Sequence, residues 1–213
     1  MDMQELSLAV QKGSAKQVKE LVTEALAAQV DPETILNEGM IAAMDIVGVK
    51  FKNNEIFVPE MLIAARAMSA GLKVLEPILI ESGVKPIGKC LIGTVKGDLH
   101  DIGKNMVRMM MKGAGFEVVD LGVDVPDEKF IEKAEEMGAD IVCLSALLTT
   151  TMPAIGDVIR KFEAAGLKEK YIFMIGGAPV SSSFAKEVGA DYYTPDASTA
   201  AEVAKKAMLS RVN

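Results

Sequence analysis

The chain has 213 residues, half of them hydrophobic and a quarter charged, a balance that supplies ample core and argues against disorder. Its formal net charge of -7, with a pI near 4.9, argues against binding to nucleic-acid backbone, which needs clustered Lys and Arg. No signal peptide, basic transit segment or apolar run long enough for a bilayer is read. The two cysteines, Cys90 and Cys143, lack CxxC spacing, which suggests a reduced, cytoplasmic protein; a disulfide between neighbouring strands is the less favoured alternative.

Residues 1 to about 83 read as helical. Ser14 opens SAKQ, a capping-box pattern with Gln17. Asp31-Pro32 opens the next helix, with proline at a tolerated first-turn position. Leu36, Met40, Ala43, Met44 and Val47 follow at helical spacing and mark one apolar face. NNEIFVPEM breaks and restarts the helix near Pro59, and Leu62, Ala65, Met68 and Leu72 continue the periodicity until Pro77, which is expected to end or kink it. Short connections between four such helices suggest a small antiparallel bundle over 1–84, with ESGVKPIGK as the linker to a second domain over 85–213.

After the linker the pattern changes. KCLIGTV, FEVVDLG, DIVCLSAL, YIFMIGG and the short ADYYT read as strands. Amphipathic segments lie between them: GKNMVRMMMKG, PDEKFIEKAEEMG, MPAIGDVIRKFEAAG and SSSFAKEVG, with STAAEVAKKAMLS as a last helix. The methionines, Met109, Met110 and Met111 among them, suit a soft, adaptable core. Strands alternating with helices imply a parallel sheet covered on both faces. The expected fold class is therefore α/β: a helical bundle followed by a five-stranded, Rossmann-like (flavodoxin-like) domain. Such sheets bind ligands at the carboxyl ends of their strands.

Three strand ends carry unusual chemistry: Asp98 to Gly103 after the first strand, Ser145 to Thr151 after the third, and Gly176-Gly177 after the fourth. His100 is the chain's only histidine. A lone histidine is more often an ordinary surface or satisfied core residue. Two features single this one out: its place at the ligand edge, and Asp98 two positions away. A carboxylate can fix the tautomer of a histidine that binds metal through its other nitrogen, or orient a general base. A protein-only zinc site is disfavoured, because there is no second histidine and the cysteines fall in strands. Gly97 and Gly103 could simply permit a tight strand-to-helix turn. Gly176-Gly177 could be a turn or a bare surface for a flat ligand, and the Ser and Thr hydroxyls after the third strand could cap a helix.

The joint spacing says more. Asp98-x-His100-x-x-Gly103, followed after 41 residues by Ser145-x-Leu147 and after 28 more by Gly176-Gly177, resembles the signature of the cobalamin-binding domain that holds its cofactor base-off and His-on. The helical half resembles the cap bundle that precedes this domain in methionine synthase and in small corrinoid proteins. The likeness covers nearly the whole chain and is greatest to the stand-alone corrinoid proteins of methanol, methylamine, glycine betaine and aryl methyl ether methyltransferase systems.

That resemblance implies roles. His100 would be the lower axial ligand of cobalt, and Asp98 would hold its other nitrogen. Gly97, Asp101, Ile102 and Gly103 would complete the cofactor-binding loop. Ser145 would contact the displaced nucleotide tail and Leu147 would line its slot. Gly176 and Gly177 would leave room for the tail, with Asp196 and Ala197 as weaker contacts. Thr149 would sit near the corrin rim, and Thr151 stands where related proteins place a hydroxyl beside the Asp–His pair. The cofactor would alternate between methylcobalamin and cob(I)alamin. As the methyl leaves, His100 should dissociate and the Asp98–His100 pair can take up a proton. A bundle over the upper face would shield the methyl; Phe57, Met61 and Met68 are either its contacts or ordinary core. A hinge at 81–89, with Gly83, Pro86 and Gly88, would let it move aside.

The resemblance thus implies a non-catalytic methyl carrier. It would receive a methyl from a substrate:corrinoid methyltransferase and deliver it to a second methyltransferase acting on tetrahydrofolate or coenzyme M, with a reductive activase as a further partner and neither membrane nor nucleic acid involved. The alternative is a cobalamin-dependent sensor or regulatory module, which shares the two-part core but would need a basic, DNA-binding addition. A mutase subunit would lack the helical cap. A cofactor-free receiver of flavodoxin-like fold would need an acidic cluster that Asp98 and Asp101 do not form.

Overall fold

The structure, a computed structural model, describes residues 2–212. The helical half begins with α1 (Met3–Gln11), α2 (Ala15–Ala27) and α3 (Pro32–Thr34). A π-helical segment (Ile35–Ile41) then runs without a break into α4 (Ala42–Lys52), and α5 (Val58–Glu81) follows. These make four helical rods, as the periodicity expects. Asp31 opens the third, its carboxylate accepting from the Thr34 amide at 3.0 Å. Ser14 occupies the N-cap position of α2, but its side chain makes no capping hydrogen bond, so the expected capping box does not form. Pro77 does not end its helix: α5 continues to Glu81. A single missing N–H near a helix end forfeits one backbone bond, which the remaining turns tolerate.

The π-helical stretch was not legible in the sequence. It contains Gly39, where a Cβ would stand 2.5 Å from Leu6 Cδ2 of α1. The widened turn therefore coincides with a close approach of α1, where a larger residue would force the Leu6 side chain to shift.

The second half alternates regularly: β1 (Lys89–Thr94), α6 (Ile102–Gly113), β2 (Glu117–Asp120), α7 (Asp127–Met137), β3 (Ile141–Ser145), α8 (Met152–Ala164), β4 (Ile172–Gly176), α9 (Ser182–Val188), β5 (Tyr192–Tyr193) and α10 (Ala197–Val212). All strand pairings are parallel, in the order β2-β1-β3-β4-β5, the doubly wound flavodoxin-like arrangement. Right-handed crossovers then put α7, α8 and α9 on one face and α6 on the other; the buried residues of α10 take no part in the cluster on the α7–α9 face.

Strand alternation divides the core accordingly. Leu91, Val142, Leu144, Phe173 and Ile175 point into a cluster with Phe130, Ile155 and Phe162 from α7 and α8. Phe162 meets the Tyr171 and Phe173 rings edge-on, with centroids 5.2 and 5.0 Å away. Cys90, Ile92, Cys143 and Met174 point the other way and are also buried. The chain forms two compact units, Met1–Pro86 with Lys112–Gly115, and Ile87–Met111 with Phe116–Asn213. Among the described residues no helix is long and apolar enough to cross a membrane.

Candidate functional site

The strand order reverses between β1 and β3, and the loops after these two strands meet at the carboxyl edge of the sheet. Asp98 lies in the first loop, its side chain fully buried. One carboxylate oxygen, Oδ1, accepts from the His100 backbone N–H at 3.0 Å and lies 2.7 Å from His100 Nδ1. The other, Oδ2, accepts from the Leu147 N–H at 2.7 Å, the Leu148 N–H at 3.3 Å and the Thr151 hydroxyl at 2.7 Å. Burial alone would push this carboxyl up. The bonds from Thr151, Leu147 and His100 outweigh it and hold Asp98 well below the ordinary carboxylate range.

The consequence for His100 is a defined tautomer. An ionised carboxylate only accepts, so Nδ1 carries the proton and, in the neutral ring, Nε2 keeps a bare lone pair. The His100 side chain is 49% exposed, so that lone pair is available to a ligand. Among the described residues, no cluster of three or more His, Cys, Asp or Glu is arranged to hold a metal ion by itself. This site can offer a metal a single protein ligand.

The surroundings suit a flat apolar group with a polar tail. Leu99 and Ile102 flank His100 and are 71% and 76% exposed, with Leu147 and Leu148 also exposed across the edge. Exposed large apolar side chains grouped in this way mark a ligand surface. Beside them, Thr94, Ser145 and Gly176 lie in one register row across β1, β3 and β4, on the face of α6. A Cβ at Gly103, on the first turn of α6, would meet nothing within 4 Å. Bare backbone there faces open space, and no positive φ requires glycine.

The two glycines after β4 differ. At Gly177, with φ +136°, a Cβ would stand 1.8 Å from the Ala146 carbonyl oxygen. The chain's own close approach therefore explains Gly177, and a ligand need not. At Gly176 a Cβ would meet only the Thr194 carbonyl oxygen, at 3.3 Å. Gly97 adopts φ +83° and is needed for its turn. Asp196 is occupied as a helix cap: its oxygens accept from the Thr199 N–H at 2.8 Å and hydroxyl at 2.7 Å. Ala197 is buried beside it, and Thr149 and Asp101 are exposed. Met61 and Met68 are buried, so of Phe57, Met61 and Met68 only Phe57 is exposed.

Some partners escaped the sequence reading. Thr94 donates its hydroxyl to the His100 carbonyl at 2.9 Å, and Leu147 serves the site through its backbone N–H. Lys104, Asp120 and Asp124 brace the loop from behind. Their only sequence signal was charge set inside or just after apolar runs.

The chain is similar to known proteins over most of its length. A family model described as B12 binding domain matches residues 88–204, and a second B12 binding domain model matches residues 3–76. The chain belongs to the B12-binding corrinoid protein family. Its relatives include dimethylamine corrinoid protein 3 of Methanosarcina acetivorans, 45% identical over 194 residues and covering 90% of this chain and 91% of that one. The trimethylamine corrinoid protein of Methanosarcina barkeri is 42% identical over 192 residues, covering 89% and 88%. Among solved structures, a cobalamin-binding protein from Desulfitobacterium hafniense DCB-2 superposes with a TM-score of 0.81 at 29% identity, covering 97% of this chain and 98% of that one. A chain of the methanol:cobalamin methyltransferase complex of Methanosarcina barkeri does so with a TM-score of 0.86 at 28% identity, covering 97% and 79%. Cobalamin is the cofactor of this corrinoid protein family.

Proposed function

We propose that the protein is a methyl-carrying corrinoid protein that binds cobalamin base-off, with His100 Nε2 as the lower axial ligand. The single observation that supports this most is the buried Asp98 carboxylate on Nδ1 of the chain's one histidine, which leaves Nε2 free at the sheet's ligand edge. The residues fit the group: a lone metal-ligating nitrogen, an exposed apolar rim, and open backbone at Gly103 and Gly176. Bound cobalamin would supply a cobalt that accepts a methyl group and releases it to an acceptor.

The chain's own residues bind and orient. Asp98 holds the proton at His100 Nδ1, and Thr151 and Leu147 hold Asp98. Leu99, Ile102 and Leu147 would support the macrocycle, with Thr149 at its rim. Ser145 and Gly176 would line the slot for the nucleotide tail, and Gly97, Asp101 and Gly103 would shape the loop around it. We assign the helical region 1–84 and the sheet region 85–213 to separate domains. Corrinoid proteins named for methylamine substrates are among the relatives. The partners inferred are therefore a substrate:corrinoid methyltransferase, a second methyltransferase acting on tetrahydrofolate or coenzyme M, and a reductive activase, all in the cytoplasm. In that arrangement this chain carries the cofactor and its partners perform catalysis.

The test is the visible spectrum of the protein reconstituted with methylcobalamin, beside His100→Ala. Bound corrinoid whose spectrum becomes that of a base-off, unligated form in the variant is the expected result. A parent that binds no corrinoid, or a variant spectrum identical to the parent's, would overturn the reading.

A further inference from the structure

Asp124 lies in the loop after β2, outside every motif quoted above. Among the described residues it is one of three non-glycine residues with a positive φ, at +51°. Aspartate tolerates the left-handed region better than most residues, yet the conformation still needs support from its surroundings. Here the support is reciprocal. Asp124 Oδ1 accepts from the Gly97 N–H at 2.7 Å, and the Asp124 N–H donates to the Asp98 carbonyl at 2.9 Å. Gly97 is itself left-handed at φ +83°. Two left-handed residues from different loops thus face each other, and Asp124 clamps the Gly97 N–H and the Asp98 carbonyl of the first loop.

The base of that clamp is rigid. Asp120, at the end of β2, accepts from Lys104 Nζ at 2.7 and 2.6 Å on its two oxygens, and from Arg108 at 3.1 Å. Lys104 is 3% exposed, and its third ammonium proton goes to Asn105 Oδ1 at 3.1 Å. Asn105 in turn donates to Asp101 Oδ2 at 2.9 Å. Asp120 also accepts from the Gly122 N–H at 2.9 Å, and the Gly122 carbonyl accepts from the Thr94 N–H at 3.0 Å. The segment 120–124 therefore grips the His100 loop at both ends: before it through Asp124, and after it through the buried ion pair on the first turn of α6. A buried ion pair contributes more to fixing one arrangement than to raw stability.

We propose that Asp124 is a positioning residue for His100: its clamp on Gly97 and Asp98 sets where the Asp98 carboxylate sits, and so sets the orientation of the imidazole toward its ligand. The ligand identity rests on the corrinoid reading above; the positioning role does not. Outer partners of a metal-ligating histidine usually change affinity about 10–100-fold when removed. Asp124 acts one step further out, on the backbone of the carboxylate, so about a tenfold shift from His-bound toward His-free cofactor is expected, at the low end of that range.

Two substitutions separate the clamp from the backbone strain. Asp124→Gly keeps the left-handed turn at no steric cost and removes the carboxylate; Asp124→Asn keeps both the turn preference and an oxygen acceptor. Because the chain has one histidine, its imidazole 15N and Nδ1 proton signals need no assignment. In the cofactor-free protein, Asp124→Gly should broaden or abolish the Nδ1 proton signal while the protein stays folded with only a modestly lowered thermal midpoint, and Asp124→Asn should restore the signal. Loaded with methylcobalamin, the same glycine variant should show the larger His-free fraction in its visible spectrum. Parent-like imidazole signals in Asp124→Gly, or a loss that Asp124→Asn does not rescue, would overturn the proposal. A parent that binds no corrinoid would overturn the functional reading instead, and the cofactor-free signals would still decide the role of Asp124.

Discussion

Asp98→Asn is the most informative single change, because it keeps the shape and removes the charge. The carboxylate accepts five hydrogen bonds, two on Oδ1 and three on Oδ2, with no exposed side-chain surface. An amide has one acceptor oxygen and must turn its nitrogen toward one of these sets. Turned toward Leu147, it meets two backbone N–H donors. Turned toward His100, it strands that residue's N–H and draws the ring proton from Nδ1 to Nε2, closing the nitrogen proposed to meet cobalt. Bonds to a charged acceptor contribute about 1.5–3 kcal/mol each, neutral ones about 0.5–1.5, and a stranded buried donor costs about 1–3 kcal/mol. The loss should be about 3 kcal/mol or more at pH 7. At about 2–4 °C per kcal/mol for a domain of this size, the thermal midpoint of the sheet unit should fall by about 6–12 °C.

The pH dependence has a definite sign. Asp98 is held below its ordinary value of 3.8 in the folded protein. Its stabilisation is therefore complete above that pH, and is lost as pH falls from there through the lower folded value. The gap between parent and Asp98→Asn should narrow as pH falls below 3.8. Urea unfolding at several pH values, followed by the His100 ring signals, reports the sheet unit alone. A gap below about 1 kcal/mol at pH 7, less than one charged bond, would refute the reasoning, as would a gap that widens below pH 3.8.

The two glycines after β4 should separate folding from binding. Gly177→Ala drives a Cβ into a carbonyl oxygen 1.8 Å away at φ +136°; by analogy with other severe backbone clashes it should cost about 3 kcal/mol or more and lower the thermal midpoint sharply. Gly176→Ala meets one oxygen at 3.3 Å, so it should fold with a loss of about 1 kcal/mol or less while weakening corrinoid binding measured by equilibrium dialysis. The cysteines should be silent in the folded state. Cys90 and Cys143 are buried with sulfurs 3.5 Å apart, and the hydrogen bond that the Cys90 thiol shares with Cys143, together with burial, pushes the Cys90 thiol up. Alkylation at pH 8 should label neither until urea unfolds the sheet unit; rapid labelling of the native protein would show that the strands open.

The parts of this molecule that sequence reading recovers share one property: local chain geometry dictates them. Strand alternation and helical periodicity follow from side-chain direction, so five parallel strands and four helical rods were legible. His100 and Asp98 were legible because two positions of a turn bring a carboxylate to a ring nitrogen. The helix end at Pro77 and the capping box at Ser14 did not form, for the opposite reason. Propensity is a weak rule, and α5 continues past a proline where the surrounding turns hold it. Gly177 was read as room for a ligand because a sequence cannot show that Ala146 comes within reach of its missing Cβ.

The brace behind the site was invisible on the same grounds. Asp120 and Asp124 meet Lys104 and Gly97 only because β2 lies beside β1 in the sheet, and that neighbourhood is a product of the crossover. A lysine on the first turn of α6 reads as a solvated charge, and an aspartate after a strand reads as a turn. Folded, the lysine uses all three of its protons and the aspartate holds the peptide on which the histidine's carboxylate depends. The residue that can meet a ligand is thus marked by its own chemistry. The residues that decide its direction are marked only by topology, so substitutions chosen from motifs alone would test the ligand and leave its aim untouched.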